Sequence, residues 1–318
     1  MSFHILGTGS YVPPTVVTND DLSKLVETND EWITTRTGIK RRHIATDETA
    51  SQMAVKAALS ALENSGVKAE ELDLILCATV SGDYIVPNLA CMVAKALGVS
   101  CAAFDINAAC SAFLFMLETA AAYLSTGRYQ KVLVVGAEQM SRILDWTDRS
   151  TCILFGDGAG ALVLEKGEDY LGSHITVQGN DEVLTVPTKA GISPFSTLGE
   201  SHPYVNMNGS ETYKFATRAV PSEIKALLEQ CGVEESQVGW VVCHQANRRI
   251  IEAAARRLKG IPPEKFLMNI EEYGNTTAAT IPLLLDEYNR KGLFRKGDLI
   301  VMAAFGGGLS STACLVRW

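Results

Sequence analysis

Three polar residues beside apolar segments have the right types for acyl-transfer chemistry. Cys110 stands at the expected first turn of a helix, His244 ends the apolar stretch WVVC, and Asn275 precedes the pattern IPLLLDEY. A thiol can act as a nucleophile, while an imidazole and a carboxamide can donate hydrogen bonds to the carbonyl under attack. Free N–H groups and the positive end of a helix dipole would favour a thiolate at Cys110.

Each of these residues also has a plainer explanation. Free cysteine is among the most buried residue types, so Cys110 also fits a small buried thiol. A histidine at a strand end is commonly a hydrogen-bonded structural residue, and an asparagine before a helix is commonly a cap. Convergence of the three side chains would favour catalysis, and convergence depends on the fold.

The chain contains an internal repeat. The stretch ALENSGVKAEELDLILC, which ends at Cys77, aligns without a gap with LLEQCGVEESQVGWVVC, which ends at Cys243, at an offset of 166 residues. Two further pairs of segments match, KVLVV (131–135) with GDLIV (297–301) at the same offset, and FGDGAGALVL (155–164) with FGGGLSSTACLV (305–316) at an offset of 150. The repeat predicts two α/β halves, residues 1–170 and 171–318.

The repeat also relates the three candidate residues. An offset of 166 places Asn275 one residue before the equivalent of Cys110, and it places His244 directly after the duplicated strand. Comparable strand-to-helix junctions of the two halves should therefore meet at one shared face. Active sites often form where two such units meet.

The hydrophobic pattern alternates between strands and helices. Continuous apolar strands between amphipathic helices predict sheets that are covered on both faces. The pattern places strands at 3–7, 72–80, 101–106, 132–136 and 174–178, and helices at 51–64, 87–97, 110–125 and 214–230. Residues 141–152 and the Gly-, Ser- and Pro-rich region 180–210 are expected to form loops.

Composition excludes several classes of protein. The 318 residues are 47% hydrophobic and carry a net charge of −8, which disfavours broad nucleic-acid binding. The sequence has neither a secretory signal pattern nor a run of 18 apolar residues, so we expect a cytoplasmic protein without a membrane span. The eight cysteines include no CxxC pair and the five histidines lack ligand spacing, which disfavours disulfides and a metal site.

Several ordered motifs together resemble one enzyme family. The sequence is similar to β-ketoacyl-acyl-carrier-protein synthase III over nearly its whole length, in the segments DEWITTRTGIKRRHIA, DINAACSAF, FGDGAGA, HQANRRI, YGNTTAATIPLLL and AFGGG. The resemblance implies the thiolase-like α/β fold, with duplicated halves in five layers (αβαβα), and a homodimer. It implies initiation of type II fatty-acid synthesis by condensation of a short acyl-CoA with malonyl-acyl-carrier protein.

The same resemblance implies roles for the candidate residues. Cys110 would take the acyl group from acyl-CoA, and His244 and Asn275 would donate hydrogen bonds to the malonyl thioester oxygen as carbon dioxide leaves. The backbone N–H of Gly307 would join that of Cys110 in an oxyanion hole, although Gly307 also fits a tight turn that requires positive φ. Neither a metal nor a cofactor is implied, because both thioesters are substrates.

Further residues are implied to bind the substrates. Trp32 and Arg36 are four apart and would share a helix face, which suits adenine stacking and phosphate contact by CoA, and Arg149 would be a third CoA contact. Without the resemblance, these arginines fit solvated surface charges and Trp32 fits the core. Arg249 and Arg256 are seven apart after His244 and would form a basic stripe for an acidic carrier protein, although dipole compensation also explains such arginines.

The sequence departs from the family pattern near the implied acyl pocket. VSGDYIVPN replaces a segment that is commonly richer in Thr, Ser and Phe, and Ser210 stands where an asparagine is common. Tyr84, Ile85 and Val86 would therefore shape the acyl pocket, and the length and branching of the primer stay open.

Other functions fit parts of the pattern. A secondary-metabolite ketosynthase III-like acyltransferase would keep the Cys, His and Asn residues and use another acceptor. A papain-like cysteine hydrolase shares the order Cys, His, Asn, but no CGSCW-like motif surrounds Cys110. A non-catalytic carrier-binding module is disfavoured by the presence of the three reactive groups.

Overall fold

The chain folds into two mixed β-sheets that are flanked and separated by helices. This computed structural model describes residues 2–188, 194–195, 197 and 199–318. The strands are β1 (Ser2–Tyr11), β2 (Val16–Thr18), β3 (Arg41–His43), β4 (Leu74–Ala78), β5 (Ala102–Asp105), β6 (Lys131–Glu138), β7 (Gly158–Gly167), β8 (Tyr170–Asn180), β9 (Leu184–Thr185), β10 (Asn206–Met207), β11 (Trp240–Cys243), β12 (Phe266–Leu267), β13 (Leu299–Gly306) and β14 (Gly308–Arg317).

The helices lie mainly between successive strands. They are α1 (Asn19–Leu22), α2 (Asp30–Thr37), α3 (Ala50–Ser65), α4 (Leu89–Leu97), α5 (Ala112–Ser125), α6 (Arg149–Cys152), α7 (Gly209–Cys231), α8 (Arg248–Arg257), α9 (Ile270–Tyr273) and α10 (Thr280–Arg290). Short 3₁₀ turns at Ala109–Ser111 and Thr277–Ala279 precede α5 and α10. No helix in the described ranges is both long and apolar enough to cross a lipid bilayer.

The two large sheets have the same strand order, which confirms the predicted duplication. The first has the order β1-β7-β6-β4-β5, and the second has the order β8-β14-β13-β11-β12. In each sheet the last three strands are parallel and the first two pairings are antiparallel. The predicted boundary at residue 170 falls at the first residue of β8.

Strand register corrects the second and third matches of the repeat. Leu74 pairs with Val132 and its equivalent Trp240 pairs with Ile300, so β6 and β13 are equivalent at an offset of 168 rather than 166. Gly158 pairs with Glu138 and Ser310 pairs with Gly306, so β7 and β14 are equivalent at an offset of 152 rather than 150. Phe155 precedes β7, whereas Phe305 lies within β13. The shared FG dipeptides therefore belong to different elements, because β13 and β14 are joined by a tight turn and β6 and β7 by a long loop.

Side chains on alternate strand positions separate the molecule into five layers. In β4, Leu74 and Leu76 face a central cluster that contains α5 and α10, while Ile75 and Cys77 face α3 and α4 on the outside. In the second sheet, β11 packs Val242 into the same central cluster and Val241 against α7 and α8. This arrangement confirms the predicted αβαβα fold and explains the continuous apolar strands.

Two regions that the sequence predicts as loops contain structure. Residues 141–152 include the helix α6, which Asp148 caps by accepting the Ser150 N–H. Within 180–210, β9 and β10 pair in antiparallel fashion, and residues 189–193, 196 and 198 lie outside the described residues. The predicted helix at 214–230 is longer, at Gly209–Cys231, and it contains the buried Pro221.

Candidate active site

A cavity of about 1270 Å³ brings the three candidate catalytic residues together. Cys110, His244 and Asn275 all line it. Cys110 follows β5, His244 directly follows β11, and Asn275 lies between β12 and α10. Each therefore stands beyond the carboxyl end of a parallel strand, where polar groups from neighbouring strands can meet.

Cys110 is a buried thiol in the 3₁₀ turn before α5. It is 8% exposed, and the preceding Ala109 has φ 48°. Burial, reinforced by the negative charge of Glu138, raises the pKa of the Cys110 thiol to about 12. The expectation of a thiolate is therefore wrong for the unliganded site, because loss of solvation outweighs the helix terminus.

Glu138 is a buried acid beside this site that sequence reasoning missed. It ends β6, its Oε2 accepts hydrogen bonds from Ser81 Oγ at 2.5 Å and Val80 N at 3.0 Å, and its Oε1 has no partner among the described residues. Burial raises the pKa of Glu138. Its position at the end of an apolar strand was the only signal available in the sequence.

His244 is a buried histidine without a protein hydrogen bond at its ring. It is 2% exposed, and neither Nδ1 nor Nε2 has a partner among the described residues. The ring meets Phe305 edge-on, with centroids 5.4 Å apart. Burial lowers the pKa of His244 to about 3, so the imidazole is neutral at pH 7. The structure therefore does not support the explanation that His244 is a hydrogen-bonded structural residue. The neutral ring offers one donor and one acceptor to the cavity.

Asn275 is both a cap and a cavity residue. Its Oδ1 accepts the Thr277 N–H at 2.9 Å, and no hydrogen bond from its Nδ2 to a described residue occurs. Its backbone is held by Leu154 O at 2.9 Å and by the Gly156 N–H at 3.1 Å, in a short parallel bridge. The preceding Gly274 has φ 65°, and a Cβ there would lie 2.9 Å from Leu154 O. Asn275 is thus fixed with its amide nitrogen free.

The structural equivalent of Asn275 in the first half is Asn107. Asn107 Oδ1 accepts the Ala109 N–H at 3.1 Å, as Asn275 accepts that of Thr277, and the acceptors are 168 residues apart. Ala109 and Thr277 share the unusual positive φ, at 48° and 45°. The prediction that Asn275 lies one residue before the equivalent of Cys110 is therefore wrong, because the second half has two extra residues between β11 and this turn.

Gly306 and Gly307 line the cavity with Cys110, where an oxyanion hole is predicted. Gly307 lines the cavity with Cys110, and its φ is not in the positive range, which belongs to Gly308 at 139°. The alternative role of Gly307 as a positive-φ turn residue is therefore wrong. Gly306 was missed by sequence reasoning: a Cβ there would lie 2.8 Å from Cys110 N, so the end of β13 packs directly on the nucleophile's backbone.

The three residues predicted to bind CoA form one cluster. The Arg36 guanidinium lies 4.5 Å from the centroid of the Trp32 ring, and that of Arg149 lies 5.2 Å from it. Trp32 and Arg36 line the cavity, and Trp32 is only half-buried, so it is not a core residue. An adenine that stacks on Trp32 would displace one of the two guanidinium groups, and Arg149 Nη1 also donates to Glu27 O at 2.8 Å.

The two arginines predicted for carrier docking differ in position. Arg249 lines the cavity and stacks over Tyr213 at 5.1 Å, whereas Arg256 is exposed in the last turn of α8 and does not line it. Asn247 was missed: it caps α8 and its Nδ2 donates to Arg36 O at 3.0 Å. This bond ties the CoA cluster to α8, and the Asn of HQAN before a helix was the available signal.

Only one of the residues predicted for the acyl pocket lines the cavity. Ile85 does so, while Tyr84 and Val86 do not, and the three are exposed at 60%, 80% and 84% in chain order. Tyr84 and Val86 therefore lie outside the cavity of this chain, because their loop projects outward, and their role in the acyl pocket stays a prediction. Much of the apolar lining comes instead from the region expected to loop out, including Leu184, Val186, Val205 and Met207.

Comparisons with known proteins agree with the resemblance. Two family models match, the 3-oxoacyl-[acyl-carrier-protein] synthase III model at residues 104–179 and its C-terminal model at residues 228–318. The chain is 48% identical to β-ketoacyl-[acyl-carrier-protein] synthase III of Clostridium acetobutylicum, over 100% of this chain and 99% of that protein. It is also 48% identical to the β-ketoacyl-[acyl-carrier-protein] synthase III of Methylococcus capsulatus, over 99% of this chain and 98% of that protein.

A solved structure gives the same result. The 3-oxoacyl-[acyl-carrier-protein] synthase III of Aquifex aeolicus VF5 superposes with a TM-score of 0.93 and 44% identity, covering 99% of this chain and 100% of that one. Similarity therefore extends over both halves, every layer and the cavity between them. The chain belongs to the 3-oxoacyl-[acyl-carrier-protein] synthase III family.

Proposed function

We propose that this protein starts fatty-acid synthesis by condensing a short acyl-CoA with malonyl-acyl-carrier protein, through an acyl group on Cys110. The products are β-ketoacyl-acyl-carrier protein, CoA and carbon dioxide. Membership of a family of condensing acyltransferases supports this reaction. The single observation that carries it is the placement of Cys110, His244 and Asn275 in one cavity.

In the first step, the Cys110 sulfur attacks the thioester carbonyl of acyl-CoA. Because the pKa of the thiol is about 12, a base must take its proton as the bond forms, and the neutral His244 ring has a free acceptor nitrogen. The N–H groups of Cys110 and Gly307 stabilise the oxyanion, where loss of one donor typically costs about 3 kcal/mol. The proton then passes to the CoA sulfur as the C–S bond breaks.

In the second step, malonyl-acyl-carrier protein loses carbon dioxide. The electron pair of the breaking C–C bond moves into the thioester as an enolate, whose oxygen accepts hydrogen bonds from the His244 N–H and the Asn275 Nδ2. The enolate carbon attacks the acyl-cysteine carbonyl, and Cys110 leaves and regains a proton. The low pKa of His244 matters because a neutral ring can donate at pH 7 without carrying a buried charge.

The substrates are proposed to enter over a locally basic rim. The Trp32, Arg36 and Arg149 cluster would hold the adenine and phosphates of CoA, and Arg249 would meet the acidic carrier protein. The chain as a whole is acidic, at −8, so attraction of these anions depends on this rim. As proposed, the reaction uses no separate cofactor, because thioester bonds supply its driving force.

We also propose a homodimer in the cytoplasm. The exposed side chains of Tyr84, Ile85 and Val86 form an apolar projection beside the cavity, and β5 is an edge strand that pairs only with β4 within the sheet. Both the apolar projection and the edge strand favour an interface with a second copy of this chain. A cytoplasmic location suits the proposed substrates, since CoA thioesters are intracellular.

Intact-mass measurement tests the proposed reaction. The protein is mixed with acetyl-CoA or a short branched acyl-CoA, and the expected result is one added acyl group that is absent from Cys110→Ser. Addition of malonyl-acyl-carrier protein should then release carbon dioxide and the β-ketoacyl product. Wild-type protein that stays unmodified with every primer would overturn the proposal, and acyl transfer to another acceptor without carbon dioxide would indicate a secondary-metabolite acyltransferase.

A further inference from the structure

Two buried serines join the halves of the molecule directly behind the nucleophile. Ser111 follows Cys110 in the first half, and Ser310 lies in β14, three residues after Gly307 of the second half. Their Oγ atoms are 2.5 Å apart, and both side chains are buried. Neither residue has a role in the proposed reaction.

Either hydroxyl can donate in this hydrogen bond, and the distances to neighbouring acceptors favour Ser310 as the donor. Ser111 Oγ lies 2.9 Å from Ala108 O, while Ser310 Oγ lies 3.3 Å from Gly307 O. A hydroxyl carries one hydrogen. If Ser111 donates to Ala108 O, then Ser310 must donate to Ser111, and the longer contact to Gly307 O is secondary. The result is one chain of hydrogen bonds from the turn after Gly307 to the turn before Cys110.

We propose that Ser111 and Ser310 are positioning residues that set the spacing between the N–H groups of Cys110 and Gly307. This inference rests on the proposed function, because those N–H groups are its oxyanion hole. The two turns already touch, since a Cβ on Gly306 would lie 2.8 Å from Cys110 N. The serine pair holds this contact in place, and Ser310 itself also lines the cavity. A displacement of about 1 Å at such a site can cost about 100-fold in rate.

Ser311 provides a matched control on the same strand. It is buried like Ser310, but its side chain points to the opposite face of β14, where its Oγ donates to Glu223 at 2.7 Å. Replacing Ser311 by alanine removes a buried hydrogen bond of the same kind without touching the cavity. A purely structural role for buried serines would give the two positions equal effects.

The test measures single-turnover acylation of Cys110 by acyl-CoA, followed by mass spectrometry. Ser310→Ala is expected to lower the maximal acylation rate about tenfold, while the acyl-CoA concentration for half-maximal rate changes less than about twofold. Ser310→Thr keeps the hydroxyl and should recover most of the rate. Ser311→Ala should acylate at the wild-type rate, even though it unfolds at a lower temperature.

Ser111→Ala covers the case in which Ser310→Ala folds poorly, and where both fold, a double-mutant cycle measures their coupling. Ser111→Ala should give the same loss as Ser310→Ala, and the double variant should lose no more than either single variant. Additive losses, or wild-type rates in both single variants, would overturn the positioning role and leave the proposed function intact. Failure of the wild-type protein to accept any acyl group would instead overturn the proposed function.

Discussion

Asn275 Oδ1 accepts the backbone N–H of Thr277 at 2.9 Å, which fixes the carboxamide with its Nδ2 unpaired. Asn275→Asp keeps the acceptor and removes the donor. We expect acylation of Cys110 to be retained and condensation to fall by about 100-fold or more, because the enolate loses one hydrogen bond and faces a carboxylate. Separate assays of acyl-enzyme mass and malonyl-dependent carbon dioxide release measure the two steps.

Asn88→Asp is the control for that substitution. Asn88 caps α4 by accepting the Cys91 N–H at 2.9 Å and does not line the cavity. It should leave both steps unchanged. Equal loss of acylation and condensation in Asn275→Asp would mean that the turn, rather than the free amide nitrogen, was disturbed.

The buried thiol should react slowly with alkylating agents. Since the pKa of Cys110 is raised to about 12, its iodoacetamide rate should keep rising up to at least pH 10, and the exposed Cys91 provides an accessible reference thiol. Glu138→Gln removes a negative charge near the sulfur and should increase the Cys110 rate several-fold at pH 9. Peptide mass spectrometry measures both sites in one sample, and a Cys110 rate that levels off below pH 8 would contradict the burial effect.

His244 should make stability depend on pH. Its pKa is about 3 in the folded protein and about 6.5 when unfolded, so below pH 6.5 the unfolded chain binds a proton that the folded chain does not. Stability from this group is therefore present above pH 6.5 and is lost as the pH falls toward 3. Relative to His244→Gln, the wild-type free energy of unfolding should drop by about 1.4 kcal/mol between pH 7.5 and 5.5.

Urea unfolding at several pH values measures this difference. The comparison with His244→Gln cancels the titration of carboxyl groups that both proteins share. Parallel curves for the two proteins would show that His244 is protonated equally in the folded and unfolded states. That result would contradict the lowered pKa of His244, and the ring would then be partly protonated near pH 7.

The CoA cluster should affect substrate binding more than chemistry. Trp32→Ala removes the ring that contacts both Arg36 and Arg149. The KM for acyl-CoA should rise about tenfold with kcat within about twofold, since each cation–π contact contributes about 0.5–1 kcal/mol and stacking of the base is lost as well. Arg128, which stacks on Tyr129 at 5.5 Å and does not line the cavity, provides the control Arg128→Ala. A fall in kcat alone would contradict the binding role.

The two arginines of α8 should differ in their effect on the carrier protein. Arg249→Glu is expected to raise the KM for malonyl-acyl-carrier protein at least tenfold at low salt, because Arg249 lies at the cavity. Arg256→Glu should have a smaller effect, since it lies two turns away. Both effects should shrink as ionic strength rises. Equal effects would mean that the docking surface covers the whole of α8. No effect at either position would mean that the carrier protein docks elsewhere.

The sequence predicted the duplicated strands and helices, but it did not predict properties that depend on burial, such as the protonation state of the Cys110 thiol. Apolar periodicity and the match at Cys77 and Cys243 were sufficient for the duplicated layers, because strands covered on both faces read as continuous apolar runs. The register of Asn275 was missed because the second half is three residues shorter before β12 and five residues longer after it, where α9 lies. The neutral state of the Cys110 thiol could not be read from its place before a helix, since desolvation depends on neighbours far apart in the chain.

The cavity lining shows a second limit of prediction from sequence. The lining residues Leu184 and Met207 pair across β9 and β10, in a region whose composition is typical of loops. Two-residue strands leave no periodic signal. Ile85 was singled out only through the family resemblance, and it lines the cavity while its neighbours do not, because adjacent residues on an extended loop point in different directions.

The central cluster has a consequence for how the protein can be divided. It combines α5 from the first half, α10 from the second and apolar side chains from both sheets. A chain cut between Gly167 and Tyr170 would give fragments that each expose one wall of this cluster to water. We therefore regard the duplicated halves as obligate partners that fold cooperatively, so that the nucleophile and its hydrogen-bond donors are assembled in the same event that makes the molecule stable.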